Sequence, residues 1–154
     1  MGLKPVSKVI RPAAHGGTGA AHQAERYLGR NEAQLQAEGV TLPCPTGESC
    51  ANFVSSMLVK AGASNFRTLG VVNLSQGLMD HGWKMVPLKD AKPGDVWICN
   101  HASGAPGEQH TELVASNNGH VTLIGSNNIS SNMQSISYDS GSAYISGSYI
   151  LSPP

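Results

Sequence analysis

Residues 83–127 read WKMVPLKDAKPGDVWICNHASGAPGEQHTELVASNNGHVTLIGSN, and their hydrophobic period decides the fold class. WKMV (83–86), DVWIC (95–99), HTELVAS (110–116) and HVTLIGS (120–126) are short runs rich in β-branched, aliphatic and aromatic residues. Turn residues separate them. In the KPGD turn, Pro93, Gly94 and Asp95 occupy favourable roles, which makes Asp95 a turn-stabilising carboxylate. Asn118-Gly119 predicts a two-residue type I′ hairpin turn. Weaker strands are expected near 133–138 and 143–151.

Upstream of Trp83 the period is helical. In CANFVSSMLVKAG (50–62), Cys50, Phe53, Val54, Met57, Leu58 and Ala61 repeat at i, i+3, i+4 and i+7. Gly62 stands where a left-handed C-terminal cap is expected, and Thr46 or Ser49 can serve as the N-cap. A helix over 19–29 is expected behind Thr18 as its cap. Residues 31–38 either continue it or form a second turn ending near Gly39. VTLPCPTGES (40–49) reads as a loop, and a shorter helix follows Asn73 and ends at Gly82. Helices first and an antiparallel sheet of about four to six strands second is the α+β order.

The chain has 154 residues and no internal repeat. A single domain over 1–154 is expected, with 1–17 an irregular arm. Charged residues make up only 13% and the net charge is zero, which disfavours nucleic acid or an acidic membrane as the main partner. Charge is unevenly spread: every Lys and Arg lies at or before Lys92, and after Glu112 the only charge is Asp139. No apolar run approaches the ~18 residues of a membrane span. The N-terminal stretch lacks the continuous apolar core of a secretory signal, so synthesis in the cytoplasm is expected.

Three residues carry the candidate chemistry. Cys50 falls in the first turn of the amphipathic helix, where free N–H groups and the helix dipole favour a thiolate. Its structural alternative is the first apolar residue of the core face. His110 opens a strand after a Gly-rich loop, where a histidine can meet a helix N-terminus as a Cys/His pair requires. A two-residue turn at Asn118-Gly119 pairs Asn117 with His120, Val114 with Leu123, Glu112 with Gly125, and His110 with Asn127. Opposed side chains share a face, so Asn127 can orient the His110 ring as the third member of a Cys-His-Asn triad. A slip of one residue would present Ser126 instead. Glu112 shares the face of His110; a solvated surface carboxylate is its favoured reading, an acid supporting the histidine the other. Cys99, His101, His110 and His120 are zinc-type residues, but their spacing matches no recognised site, and no metal or organic cofactor is expected. Cys44 and Cys99 could pair in an oxidising compartment.

Six motifs occur in an order that resembles a known family: YLG, CANFVSSMLVKAG, HGW, KPGDVWI, HTELV and IGSNN. They are similar to those of papain-like peptidoglycan hydrolases, above all CHAP-type amidases and endopeptidases, with NlpC-type enzymes behind them. The resemblance covers about residues 20–130. It implies a papain-like fold and a nucleophilic cysteine at a helix start. It also implies a histidine at the start of a strand after a PGD-type turn, and a polar orienting residue on the next strand. Cys50, His110 and Asn127 fall on those positions. Two positions depart from the family pattern. Gln109-His110-Thr111 stands where Gly-His-Val is common, and Gly125 stands where many CHAP members carry a glutamate.

The activity implied is hydrolysis of an amide bond in peptidoglycan stem or cross-bridge peptides through a thioester. The alternatives are an acyltransferase or deamidase acting on protein side chains, or an inactive binding module that keeps the shell. The resemblance further implies a monomer acting in the periplasm or cell wall after export or lysis, as a phage lysin or a type VI secretion effector. A cognate immunity protein would be the effector's expected partner.

Overall fold

The computed structural model describes residues 16–100, 109–130 and 133–154. The arm expected over 1–17 lies outside the described residues up to residue 15. From Gly16 the chain is helical: α1 spans Gly16–Glu25. Thr18 therefore sits within α1 rather than capping it, and the helix gives way to a turn through Gly29 rather than running on. Residues 31–38 form a separate helix, α2 (Glu32–Ala37), with Asn31 as its N-cap. The Asn31 side chain accepts from the Gln34 N–H at 2.8 Å and the Gln34 side chain accepts from the Asn31 N–H at 2.9 Å. These reciprocal bonds, a capping box, start a new helix here instead of extending the first.

α3 spans Cys50–Lys60 and its apolar stripe is buried as its period predicts. Phe53, Val54, Met57 and Leu58 are fully inaccessible, each contributing roughly 1.5–3 kcal/mol of transfer free energy. Gly62, at φ +76°, ends the helix: its N–H bonds Val59 O at 3.0 Å and the Ala63 N–H bonds Leu58 O at 2.9 Å, the paired bonds of a Schellman cap. α4 spans Val71–Asp80, so Asn73 lies inside it; Gly70 is the residue that precedes it. Gly77 of α4 is required by packing, because a Cβ there would lie 2.5 Å from the Phe66 ring.

Among the described residues six strands form one antiparallel sheet: β1 (Lys84–Val86), β2 (Val96–Cys99), β3 (His110–Asn117), β4 (Val121–Ser130), β5 (Met133–Asp139) and β6 (Tyr149–Ser152). Their spatial order is β1-β6-β2-β3-β4-β5. The run expected as a strand over 143–151 begins instead with a 3-10 turn at Ser142–Tyr144. The architecture is α+β. One sheet face packs on the helices through Val96, Ile98, Leu113, Ile124 and Leu151, together with Phe53, Met57, Leu74 and Leu78. The other buries Trp97, Val114, Leu123 and Ile150 beneath Ala143, Leu88 and Ile145. Both faces being covered explains why all four residues of β2 are buried instead of alternating with solvent. Asp95 closes the turn before β2 as expected. It accepts from the Lys92 N–H and from Ser152 Oγ, both at 2.9 Å, and burial pushes its carboxyl pKa up. Among the described residues no helix is long and apolar enough to cross a membrane.

The β3–β4 hairpin departs from the expected turn yet keeps the expected pairing beyond it. Asn117 pairs with Val121, not His120, so the turn holds three residues. The Asn117 side chain accepts from the Gly119 N–H at 3.2 Å, and Gly119 takes φ +103°. A bulge at Ala115 then adds one residue to β3. Turn and bulge offset each other, so Val114 pairs with Leu123 and Leu113 with Ile124. Continuation of that register sets Glu112 against Gly125 and His110 against Asn127.

Candidate active site

At the start of β3 the sheet end meets the start of α3. Ser49 occupies the N-cap position of α3, but its side chain makes no cap bond. The hydroxyl turns instead to Ser126 Oγ and to Gln134 Oε1, the latter at 2.9 Å. Gln134 Oε1 also accepts the Ser49 N–H at 2.8 Å, and Gln134 Nε2 donates to Ser126 O at 3.1 Å. The expected capping role of Ser49 is thus replaced by a buried clamp between α3 and the sheet. The clamp fixes the helix start and leaves its first N–H groups without a side-chain cap. Glu32 holds the approach, accepting from the Gly47 N–H at 2.8 Å.

Cys50, half-buried, begins α3 and lines one cleft with His110, whose pKa its nearness raises. His110 Nε2 lies 2.7 Å from Asn127 Oδ1. The Asn127 amide can point only one way. Its Nδ2 faces Glu112 Oε1 at 3.1 Å, Gly125 O and Ser137 O at 3.2 Å, and Ser137 Oγ at 3.0 Å. A nitrogen set among acceptors places Oδ1 toward the ring. Nε2 must then carry a proton and donate it, which leaves Nδ1 as the basic nitrogen for Cys50. The structure therefore brings together all three residues singled out in the sequence. The Trp97 ring meets the His110 ring edgewise, with centroids 5.9 Å apart.

Glu112 corrects an expectation. It is not a solvated surface carboxylate but wholly inaccessible. Its Oε2 lies 3.3 Å from His110 Nε2, and its side chain fills the space over Gly125, where a Cβ would stand 2.7 Å from Glu112 Cγ. The space that a side chain at Gly125 would take is thus filled by Glu112, reaching across from β3. Burial of His110 would push its pKa down. Its nearness to Cys50 and to Glu112 reverses this and raises it well above the ordinary imidazole range. Burial raises Glu112 to about 8; its contact with Asp139 adds to the rise and His110 opposes it.

Asp139, at the end of β5, was not singled out by its sequence context, although it is the only charge after Glu112. Burial would raise its pKa, but the nearness of Glu112 and Ser142 and the N–H groups of Gly141 and Ser142, each donating to Oδ1 at 3.0 Å, hold it well below the usual carboxylate range. Asn128, neighbour of Asn127, is exposed and lines the cleft.

The cleft over these groups measures about 290 Å³, with Cys50, His110, Trp97, Gln134, Ser142 and Ile145 in its wall. A larger, mainly apolar cavity of about 370 Å³ shares Trp97 and Ile145 with it. Cys44 and Cys50 are free thiols. Cys44 lies against Gln36 and Glu48, and Cys99 is buried on β2 opposite His110. His120 stacks on Tyr144 at the far end of the hairpin, and His101 lies outside the described residues. Among the described residues no three His, Cys, Asp or Glu side chains group as metal ligands would. Comparisons with protein-family models, curated proteins and solved structures find no match to this chain.

Proposed function

We propose that the protein is a cysteine-dependent amidase or endopeptidase of peptidoglycan peptides, working through Cys50, His110 and Asn127. The observation that carries the chemistry is that the Cys50 thiol and the His110 ring line one cleft while the Asn127 carboxamide holds the far side of the ring, Oδ1 to Nε2, at 2.7 Å. Asn127 fixes the tautomer, so Nδ1 of His110 takes the thiol proton. The thiolate attacks the scissile carbonyl carbon and the oxygen becomes an oxyanion. The uncapped N–H groups at the start of α3 are its donors. The intermediate collapses to a Cys50 thioester as His110 returns the proton to the leaving amine. Water, deprotonated by His110, then cleaves the thioester and restores the thiol.

The substrate class rests on the resemblance of the motifs around these residues to CHAP-type hydrolases. The same resemblance supports delivery to the periplasm or wall as a secreted effector countered by an immunity protein. Digestion of purified peptidoglycan followed by mass spectrometry of the fragments tests the reading. New free amine and carboxyl ends in the stem or cross-bridge peptides are expected, with loss of activity on thiol alkylation and none on chelation. Intact peptides, or release of ammonia from protein glutamine instead, would move the assignment to another substrate.

A further inference from the structure

A second cavity adjoins the candidate cleft and is built from different material. It measures about 370 Å³, within the size range of small-ligand pockets. Trp97 and Ile145 belong to both walls. The Trp97 ring meets the His110 ring edgewise, with centroids 5.9 Å apart, so the cavity stands one ring away from the histidine. Among the described residues no charged side chain and no histidine lines it. Its polar groups are already engaged. Ser148 Oγ donates to Ile145 O at 2.7 Å, Tyr144 Oη accepts from the Val121 N–H at 2.9 Å, and Tyr149 Oη bonds Ser75 Oγ at 2.6 Å. These bonds also hold the wall in place. Asp139 Oδ1 accepts from the N–H groups of Gly141 and Ser142, both at 3.0 Å, which sets the 3-10 turn, and His120 stacks on Tyr144. The cavity is therefore formed before any substrate arrives. A charged group entering it would lose hydration without gaining a partner.

We propose that this cavity is a substrate subsite for an uncharged, apolar residue next to the scissile bond. The inference rests on the reading of Cys50, His110 and Asn127 as a hydrolytic site for peptidoglycan peptides, and it names the part of the peptide that the site selects. Trp97 joins the two spaces. One ring backs the His110 imidazole and lines the subsite, so a side chain seated on it is adjacent to the reacting bond. In a stem peptide the residue with an uncharged apolar side chain is alanine; the glutamate and the diamino acid carry charge. The bond cut therefore has alanine on at least one side. A single methyl group leaves much of the space open. Longer aliphatic side chains, which bury more apolar surface, should accordingly bind better in a free peptide.

NMR of the free, nitrogen-labelled protein tests the subsite without any turnover. N-acetyl-leucine methylamide is the probe, and N-acetyl-glutamate methylamide is its charged control. The leucine probe should shift, saturably, the backbone N–H signals of Ile145 and Ser148 and the indole N–H of Trp97, which has no hydrogen-bond partner among the described residues. The glutamate probe should bind at least about tenfold more weakly. Val86→Trp, which fills the cavity from the edge strand β1, should abolish the leucine shifts; Val86→Phe takes its place if that variant does not fold. Equal binding of the two probes, no binding of the leucine probe, or leucine shifts that survive in a folded cavity-filling variant overturns the subsite. On peptidoglycan the new ends should be flanked by alanine, and the filling variant should raise KM with a smaller change in kcat. Cleavage confined to a bond between glutamate and the diamino acid overturns the assignment to alanine. If peptidoglycan is not cut at all, the probe titration still decides the subsite, separately from the failure of the hydrolase reading.

Discussion

Asn127 is held by more bonds than an orienting residue needs, and this makes its substitution informative. Loss of its carboxamide frees the His110 ring but leaves the Cys50–His110 contact possible. Asn127→Ala should lower kcat by roughly 10–10³-fold with a smaller effect on KM, less than the loss for Cys50→Ala. Asn128→Ala, altering an exposed side chain in the cleft wall, should have less effect on kcat; steady-state kinetics on one defined peptide compare the two. Gly125→Ala tests the close approach of β3 to β4. Its Cβ would stand 2.7 Å from Glu112 Cγ, so Glu112 must shift, and a cost of about 1–3 kcal/mol is expected from overpacking. Chemical denaturation measures it. At this scale Cys50 and His110 were legible because their positions, a helix start and a strand start, are visible as changes of period. Glu112 and Asp139 were not, because a carboxylate in a strand reads as solvated until both sheet faces are known to be covered.

The elements were legible where period and caps agree, as in α3 with its Gly62 stop, and less so at their ends. α2 separates from α1 because Asn31 builds a capping box, a local signal that competes with a continuous helical pattern. The hairpin is more instructive. The dipeptide Asn118-Gly119 favours a two-residue turn, but the Asn117 side chain closes a three-residue one, and the Ala115 bulge restores the register that places His110 opposite Asn127. The pairing was therefore reached through two compensating departures, neither visible in the alternation of β3. The start of α3 depends likewise on a long-range clamp that no local pattern announces. Gln134→Ala should leave the buried Ser49 N–H unpartnered, costing about 1–3 kcal/mol. It should also loosen the start of α3, speeding hydrogen exchange relative to the parent at Phe53, whose N–H donates to Ser49 O at 2.8 Å, more than at Leu58.

Across the whole molecule, burial of acid groups on the covered sheet face ties stability to pH. Glu112 keeps its proton in the folded chain up to about 8, whereas the unfolded chain releases it near the ordinary 4.5. The folded state then binds more protons, so this contribution is lost as pH rises from about 5 toward 8. Asp139, held low, contributes stability that is lost as pH falls below its ordinary 3.8. His110 is raised, so its contribution is complete below 6.5 and also declines with rising pH. Thermal melts between pH 5 and 8 should show Tm falling, and Glu112→Gln should flatten the fall without abolishing it; an equally steep fall in that variant would locate its origin elsewhere. The proposed mechanism depends most on Cys50 as the nucleophile. Mass spectrometry of acid-quenched protein during turnover of a labelled peptidoglycan peptide addresses it directly. An acyl adduct is expected, confined to the fragment containing Cys50 and absent from a folded, inactive Cys50→Ala variant. Full turnover by Cys50→Ala would contradict it.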